Sequence, residues 1–167
     1  MGCVTHRAAF FAMLAALMLT AAACSSEDNG GSTGGTGGAT GETSSATTVD
    51  VTLQEFGILP ATDSAAAGDV TFDVINQGPK ETHEFVVIKT DLAPNALPTK
   101  ADGSVNEEAA GLQAVDEIED IAVGDTPTLN VSLVPGSYVF ICNIVDEEGG
   151  KMVSHYQQGM VAAFTVQ

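Results

Sequence analysis

Three segments of the chain alternate apolar and polar residues with a period of two. This pattern predicts strands with one buried and one solvated face, because successive side chains of a strand point to opposite sides of a sheet. Three further runs are rich in β-branched and aromatic residues, which also favours strands. The alternating segments are residues 49–53, 70–74 and 129–133, and the further runs are residues 85–88, 138–142 and 160–166.

Turn-forming residues lie between these runs, at positions 67–69, 76–79, 123–125 and 134–136. Short strands separated by such turns are typical of an antiparallel sandwich or barrel, so we expect an all-β domain. Residues 91–120 break the pattern and are rich in Pro, Ala and acidic side chains. We expect this segment to be a long connection outside the sheets, with a short helix near residues 107–113.

The first residues have the pattern of an export signal. Arg7 precedes an apolar run at residues 8–23 that is short for a membrane span, and Cys24 follows. This resembles a bacterial lipoprotein signal, so we predict a removed signal peptide (1–23) and lipid on Cys24. Ordinary cleavage with free secretion is the alternative. We expect residues 24–48, which are rich in Gly, Ser and Thr, to form a tether, and residues 49–167 to form the folded domain.

Acidic residues dominate the charge of the chain. The 22 Asp and Glu residues exceed the 5 Lys and Arg residues and give a formal net charge of −17. Such a surface repels nucleic acid and anionic lipid, so we expect neither a nucleic-acid partner nor electrostatic membrane binding. The charge suits a basic partner protein, and it equally suits a soluble monomer with no charged partner.

Few metal-binding side chains remain once the predicted signal peptide is removed. They include two histidines, His83 and His155, and one cysteine besides Cys24, which is Cys142. A lone buried cysteine or histidine is usually inert. Here, however, His83, Cys142 and Met160 all lie where predicted strands meet loops, and strand ends of a sandwich can converge at one pole. The order His, Cys, His, Met therefore indicates a metal site.

Three segments give the domain a specific resemblance: VINQGPKETHEFVVI, PGSYVFIC and SHYQQGMVAAFTV. Over residues 49–167 the chain resembles the cupredoxins, the blue copper proteins related to plastocyanin and azurin. The resemblance implies a Greek-key β-sandwich with one type 1 copper ion. It also implies that His83, Cys142 and His155 are the strong ligands and Met160 the weak axial ligand.

This ligand set suits both copper oxidation states. Thiolate and thioether favour Cu(I), imidazole also suits Cu(II), and a trigonal set with a distant Met accommodates both. Zinc is the metal alternative, although Met is a poor fourth ligand for it.

Two features depart from the family pattern. Twelve residues separate Cys142 from His155, where the family usually has a short loop. We expect the acidic residues of this insertion, Asp146, Glu147 and Glu148, to form a solvated loop tip, and Met152 becomes a rival axial ligand. Glu84 also follows His83, where these proteins commonly have an Asn that connects the ligand loops.

The expected function is single-electron transfer between Cu(II) and Cu(I) at the outer cell surface, with redox proteins as partners. Secretion or a periplasmic location is the alternative placement. We expect no enzymatic activity, because no further histidine remains for a catalytic copper centre or a general base. The alternative functions are a surface copper buffer or delivery protein, and a metal-free interaction domain.

Overall fold

The computed structural model of the chain describes residues 46–167. The predicted signal peptide (1–23), the predicted lipid on Cys24 and nearly all of the tether lie outside the described residues. The first strand begins at Thr47, two residues before the predicted start of the domain at residue 49. All described residues belong to one compact unit, Gly41–Gln167. None of them forms a helix long and apolar enough to cross a membrane.

Within this range the structure is an all-β sandwich, as the sequence pattern predicted. One sheet has the strand order β2-β1-β4-β7, the other has the order β3-β11-β8-β5-β6, and β9 and β10 form a separate hairpin. A single 3₁₀ turn spans Pro94–Ala96. The strands are β1 (Thr47–Gln54), β2 (Gly57–Pro60), β3 (Ser64–Ala65), β4 (Gly68–Asn76), β5 (His83–Lys89), β6 (Gln113–Ile121), β7 (Thr128–Leu133), β8 (Gly136–Ile141), β9 (Val145–Glu148), β10 (Lys151–Ser154) and β11 (Val161–Val166).

Most strand pairs are antiparallel, as expected, but two are parallel. Strand β1 pairs in parallel with β4, and β3 pairs in parallel with β11. The first pair arises because the chain leaves the first sheet after β2, forms β3 in the second sheet, and then returns as β4 beside β1.

The core lies between the two sheets. All six predicted strand segments match observed strands with at most one residue outside them; the observed strands are β1, β4, β5, β7, β8 and β11. Four buried phenylalanines form the centre of the core, with neighbouring ring centroids 4.9 to 5.8 Å apart: Phe72, Phe85, Phe140 and Phe164. Aromatic rings at these separations contribute packing energy beyond the burial of their area.

The prediction for residues 91–120 is wrong in two respects, because the segment supplies most of an edge strand and does not form the expected helix. Strand β6 pairs with β5, and no helix forms at residues 107–113. Two register shifts each place an extra residue in β6, so its inward residues Val115, Ile118 and Ile121 recur every third position. The bulges hide the period of two, and the exposed acidic residues between these positions are typical of a protected sheet edge.

Candidate metal centre

The turn before His83 is held by the buried side chain of Asn76. Its Nδ2 donates hydrogen bonds to the carbonyl oxygens of Glu81 (2.9 Å) and Ile121 (2.8 Å), and its Oδ1 accepts one from the N–H of Gly78 (2.8 Å). The sequence pattern indicates only that Asn76 belongs to a turn. The structure shows that it connects the His83 turn to β6 and fixes where β5 begins.

Cys142 and Met160 lie at the same end of the sandwich as His83, because two paired strands bring them there. Cys142 directly follows β8 and Met160 directly precedes β11, and these two strands are antiparallel neighbours. The N–H of Cys142 donates to the carbonyl of Met160 at 3.2 Å, and the N–H of Met160 donates to the carbonyl of His155 at 3.0 Å. The side chains of Cys142 and Met160 are both fully buried.

Three donor atoms converge at this pole, as the sequence predicted. The Nδ1 atoms of His83 and His155 are 3.2 Å apart, and Sγ of Cys142 lies 3.9 Å from the first and 3.2 Å from the second. A metal bound trigonally at about 2.0 Å from nitrogen and 2.3 Å from sulfur would separate its donors by about 3.5 to 3.7 Å. The arrangement therefore fits one metal ion with only small shifts.

Burial favours the neutral forms of Cys142 and His83. Burial raises the pKa of the Cys142 thiol to about 12, although the backbone N–H of Glu84 donates to its Sγ at 3.4 Å. Burial also lowers the pKa of His83, and the neighbouring His155 lowers it further. A bound cation would supply the positive charge that a buried thiolate requires.

The outer ring nitrogens of the two histidines face carboxylates. His155 Nε2 lies 3.0 Å from Asp146 Oδ2, while Phe56 packs edge-on against the same ring. His83 Nε2 lies 4.0 Å from Glu55 Oε1 and has no hydrogen-bond partner among the described residues. The two histidines thus differ in how firmly their rings are held.

Glu55 is itself part of the turn that leads to His83. Its Oε1 accepts hydrogen bonds from the backbone N–H groups of Lys80 (2.8 Å) and Glu81 (2.5 Å). Burial acts to raise the pKa of Glu55, but backbone hydrogen bonds, chiefly those from Glu81 and Lys80, act together with the nearby His83 and hold the pKa below its ordinary value. The carboxylate therefore stays charged beside the metal pole.

Glu84, which departs from the family pattern, connects the ligand segments. Its Oε1 accepts the N–H of Asn143 at 2.6 Å, and the Asn143 amide in turn bonds to both the N–H and the carbonyl of Val105 and to Glu107. Burial raises the pKa of Glu84 to about 7, although the Asn143 hydrogen bond opposes the shift. Glu84, the residue after His83, is thus hydrogen-bonded to Asn143, the residue after Cys142.

The inserted segment between Cys142 and His155 is a hairpin and not an irregular loop. Strands β9 and β10 pair antiparallel, and Gly149 and Gly150, with φ of 57° and 80°, form the turn. Glu147 and Glu148 are exposed, as a solvated tip requires, whereas Asp146 is half-buried and contacts His155. The expectation for the acidic triplet is therefore wrong for Asp146.

The two candidate axial methionines have opposite environments. Met160 is fully buried and lies in the same core cluster as Cys142, whereas Met152 is 59% exposed on the hairpin. The structure therefore favours Met160 over Met152 as the fourth side chain of the centre.

Comparisons with known proteins support the fold. No protein-family model matches the chain, and no curated protein matches its sequence. The structure is similar to reduced auracyanin from the photosynthetic bacterium Roseiflexus castenholzii, with 18% identity and a TM-score of 0.50 over 73% of this chain and 98% of that chain. Two weaker matches are auracyanin B (23%, TM-score 0.48, 73% and 89% covered) and auracyanin A of Chloroflexus aurantiacus, described as a "blue" copper protein (17%, TM-score 0.45, 74% and 100% covered).

At this level of identity the likeness establishes the fold, while the donor atoms of this chain establish the chemistry that the site can hold. The chain has the cupredoxin fold, and its cluster of His83, Cys142 and His155 beside the buried Met160 fits one type 1 copper ion.

Proposed function

We propose that this protein is a single-electron carrier that binds one copper ion through His83, Cys142 and His155, with Met160 as a weak axial ligand. The observation that carries the proposal is the convergence of two imidazole nitrogens and one thiol sulfur within 4.8 Å in a buried site. When bound, copper would supply the Cu(II)/Cu(I) couple, for which this donor set suits both states.

The chain contributes a rigid frame around these donors. His83 begins β5 beside the Asn76-held turn, and backbone hydrogen bonds connect Met160 to both Cys142 and His155. Because the side chains are held by strand ends and hydrogen bonds, the donor positions change little when an electron arrives or leaves. A small rearrangement lowers the barrier to electron transfer, which favours a carrier over a storage protein.

The proposed location is the outer face of the cell membrane, with Cys24 lipidated and residues 24–48 as a tether. A random coil of this length spans roughly 25–30 Å, which would hold the domain clear of the lipid surface. The acidic surface, with a formal net charge of −17, would attract a basic redox partner. Both histidines of the domain are assigned to the metal, which supports electron transfer without enzymatic chemistry.

The test is a visible spectrum and a voltammogram of the copper-loaded Gly41–Gln167 unit. We expect an intense thiolate-to-Cu(II) band that ascorbate bleaches and air restores, one copper per chain, and a reversible one-electron wave. A chain that takes up no copper, or binds it without the band, would overturn the copper site. Tight binding of Cu(I) alone, without a reversible wave, would favour the copper buffer instead.

A further inference from the structure

The ring of His155 is buried, and within residues 46–167 its outer nitrogen has one polar contact. Nε2 lies 3.0 Å from Oδ2 of Asp146, while only 1% of the His155 side chain and 42% of the Asp146 side chain are exposed. A neutral imidazole carries its single hydrogen on Nδ1 or on Nε2, and an ionised carboxylate can only accept a hydrogen bond. The contact therefore favours the His155 tautomer that carries its hydrogen on Nε2.

This tautomer is also the one that the metal centre requires. With the hydrogen on Nε2, the lone pair of His155 Nδ1 faces Cys142 Sγ and His83 Nδ1, each at 3.2 Å. The opposite tautomer would place a hydrogen where the metal ion must bind. The inner face of the ring thus depends on what holds its outer face.

The hairpin holds Asp146 in place. Asp146 lies in β9 opposite Val153 of β10, next to the base of the hairpin, where the N–H of His155 donates to the carbonyl of Ile144 at 3.0 Å. The strand pairing and this hydrogen bond hold the backbone of Asp146 beside the ring of His155. His83 has no equivalent, because its Nε2 lacks a hydrogen-bond partner among the described residues.

We infer that Asp146 of the inserted hairpin is a positioning residue of the metal centre. Its carboxylate accepts a hydrogen bond from Nε2–H of His155 and so orients Nδ1 of that ring toward the metal. The inference deepens the proposed copper-binding function and rests on it. Carboxylates that orient metal-bound histidines in this way typically change metal affinity by about 10- to 100-fold when they are removed.

Three variants separate positioning from charge. Asp146→Ala removes the acceptor and the charge, Asp146→Asn removes the charge and retains an amide oxygen that can accept, and Glu147→Ala removes a charge of the same hairpin from an exposed position. If Asp146 acts by positioning, Asp146→Asn should largely retain the parent behaviour and Glu147→Ala should match it. If only charge matters, both should resemble Asp146→Ala.

The first measurement uses the metal-free Gly41–Gln167 unit and the ¹⁵N chemical shifts of its histidine rings. We expect the Nε2–H tautomer of His155 in the parent, in Asp146→Asn and in Glu147→Ala, and a mixture of tautomers in Asp146→Ala. An Nδ1–H tautomer in the parent, or unchanged shifts in Asp146→Ala, would overturn the inference. This result does not depend on whether copper binds.

The second measurement is Cu(I) affinity by competition with a chelator. We expect Asp146→Ala to bind about 10- to 100-fold more weakly than the parent, with much smaller changes in the other two variants. Equal affinity of Asp146→Ala and Glu147→Ala would reject the role of Asp146 while the copper site stands. A parent that binds no copper would instead reject the proposed function, and the tautomer measurement would still decide the contact between Asp146 and His155.

Discussion

The carboxylate of Glu84 accepts a hydrogen bond from the backbone N–H of Asn143 at 2.6 Å, so that the residues following His83 and Cys142 are directly joined. The backbone N–H of the same Glu84 donates to the Cys142 sulfur. One residue thus contacts the thiol through its main chain and the thiol's own loop through its side chain.

Replacing Glu84 should therefore loosen the loop after Cys142. In Glu84→Ala the Asn143 N–H loses its acceptor, and a lost hydrogen bond of this kind costs about 1–3 kcal/mol, or roughly 5- to 150-fold in a local opening equilibrium. Amide hydrogen exchange at Asn143 should accelerate accordingly. Glu84→Gln retains an acceptor and should lose less protection, and Glu119→Ala, on the exposed face of β6, should lose none. Unchanged exchange in Glu84→Ala would contradict this role.

Asn76 should contribute strongly to stability, because it satisfies two carbonyls and one N–H in a buried turn. We expect Asn76→Ala to lower the free energy of unfolding by about 2–4 kcal/mol in urea titrations of the metal-free protein. The matched control is Gln77→Ala at the next, exposed position, which should change it by less than about 0.5 kcal/mol. Similar losses in both variants would show that the turn is not held by the Asn76 side chain.

Cys142 should be indispensable for the colour of the copper-loaded protein. In Cys142→Ser the thiolate is lost, so the intense visible band should vanish and Cu(I) should bind far more weakly, since a hydroxyl is a poor ligand for it. Visible spectra and copper-to-protein ratios of the variant and the parent provide the measurement. A band that persists together with full copper content would show that the type 1 assignment is wrong.

The two methionines should respond differently to the same substitution. Met160→Gln should retain copper and colour but lower the reduction potential, because an amide oxygen favours Cu(I) less than a thioether does. Met152→Gln should leave the potential unchanged, since that side chain is 59% exposed on the hairpin. Voltammetry of both variants decides the question. A shift only in Met152→Gln would mean that the hairpin supplies the axial ligand.

Anchoring can be tested without the metal. If Cys24 carries lipid, the parent should fractionate with membranes and Cys24→Ala should appear in the soluble fraction. Each lipid methylene contributes about 0.8 kcal/mol to membrane binding, so the loss should be nearly complete. Membrane association that does not change in Cys24→Ala would contradict the lipoprotein prediction.

The sequence predicted the main strands well and the edges of the sandwich poorly. Residues 49–53 and 70–74 alternate strictly because one face of each strand is buried in the core. Strand β6 was not predicted because its bulges space the inward residues Val115, Ile118 and Ile121 three positions apart instead of two. The hairpin β9–β10 was expected as a loop, although Gly149-Gly150 between two four-residue segments is a recognised hairpin signal.

Of the metal centre, the sequence predicted the side chains that would bind the metal but not the residues that surround them. His83, Cys142 and His155 stand out because their types are rare in the domain and because they lie at or near strand ends. Of the carboxylates around them, Glu55 is one of 22 acidic residues with nothing in its local sequence to mark it, and Asp146 stands out only as one of three acidic residues of the insertion. Their role depends on which strands the fold brings together, so only the structure reveals it.

The segment between Cys142 and His155 is a hairpin, so its length can change without moving the two residues at its ends. Its ends are closed by the pairing of Val145 with Ser154 and by the hydrogen bond from His155 to Ile144, so twelve residues of chain begin and end at nearly the same point. The tip from Glu147 to Met152 is therefore a modular part of the molecule. A change in the length or charge of this tip should therefore leave the positions of the metal-binding side chains at the base unchanged.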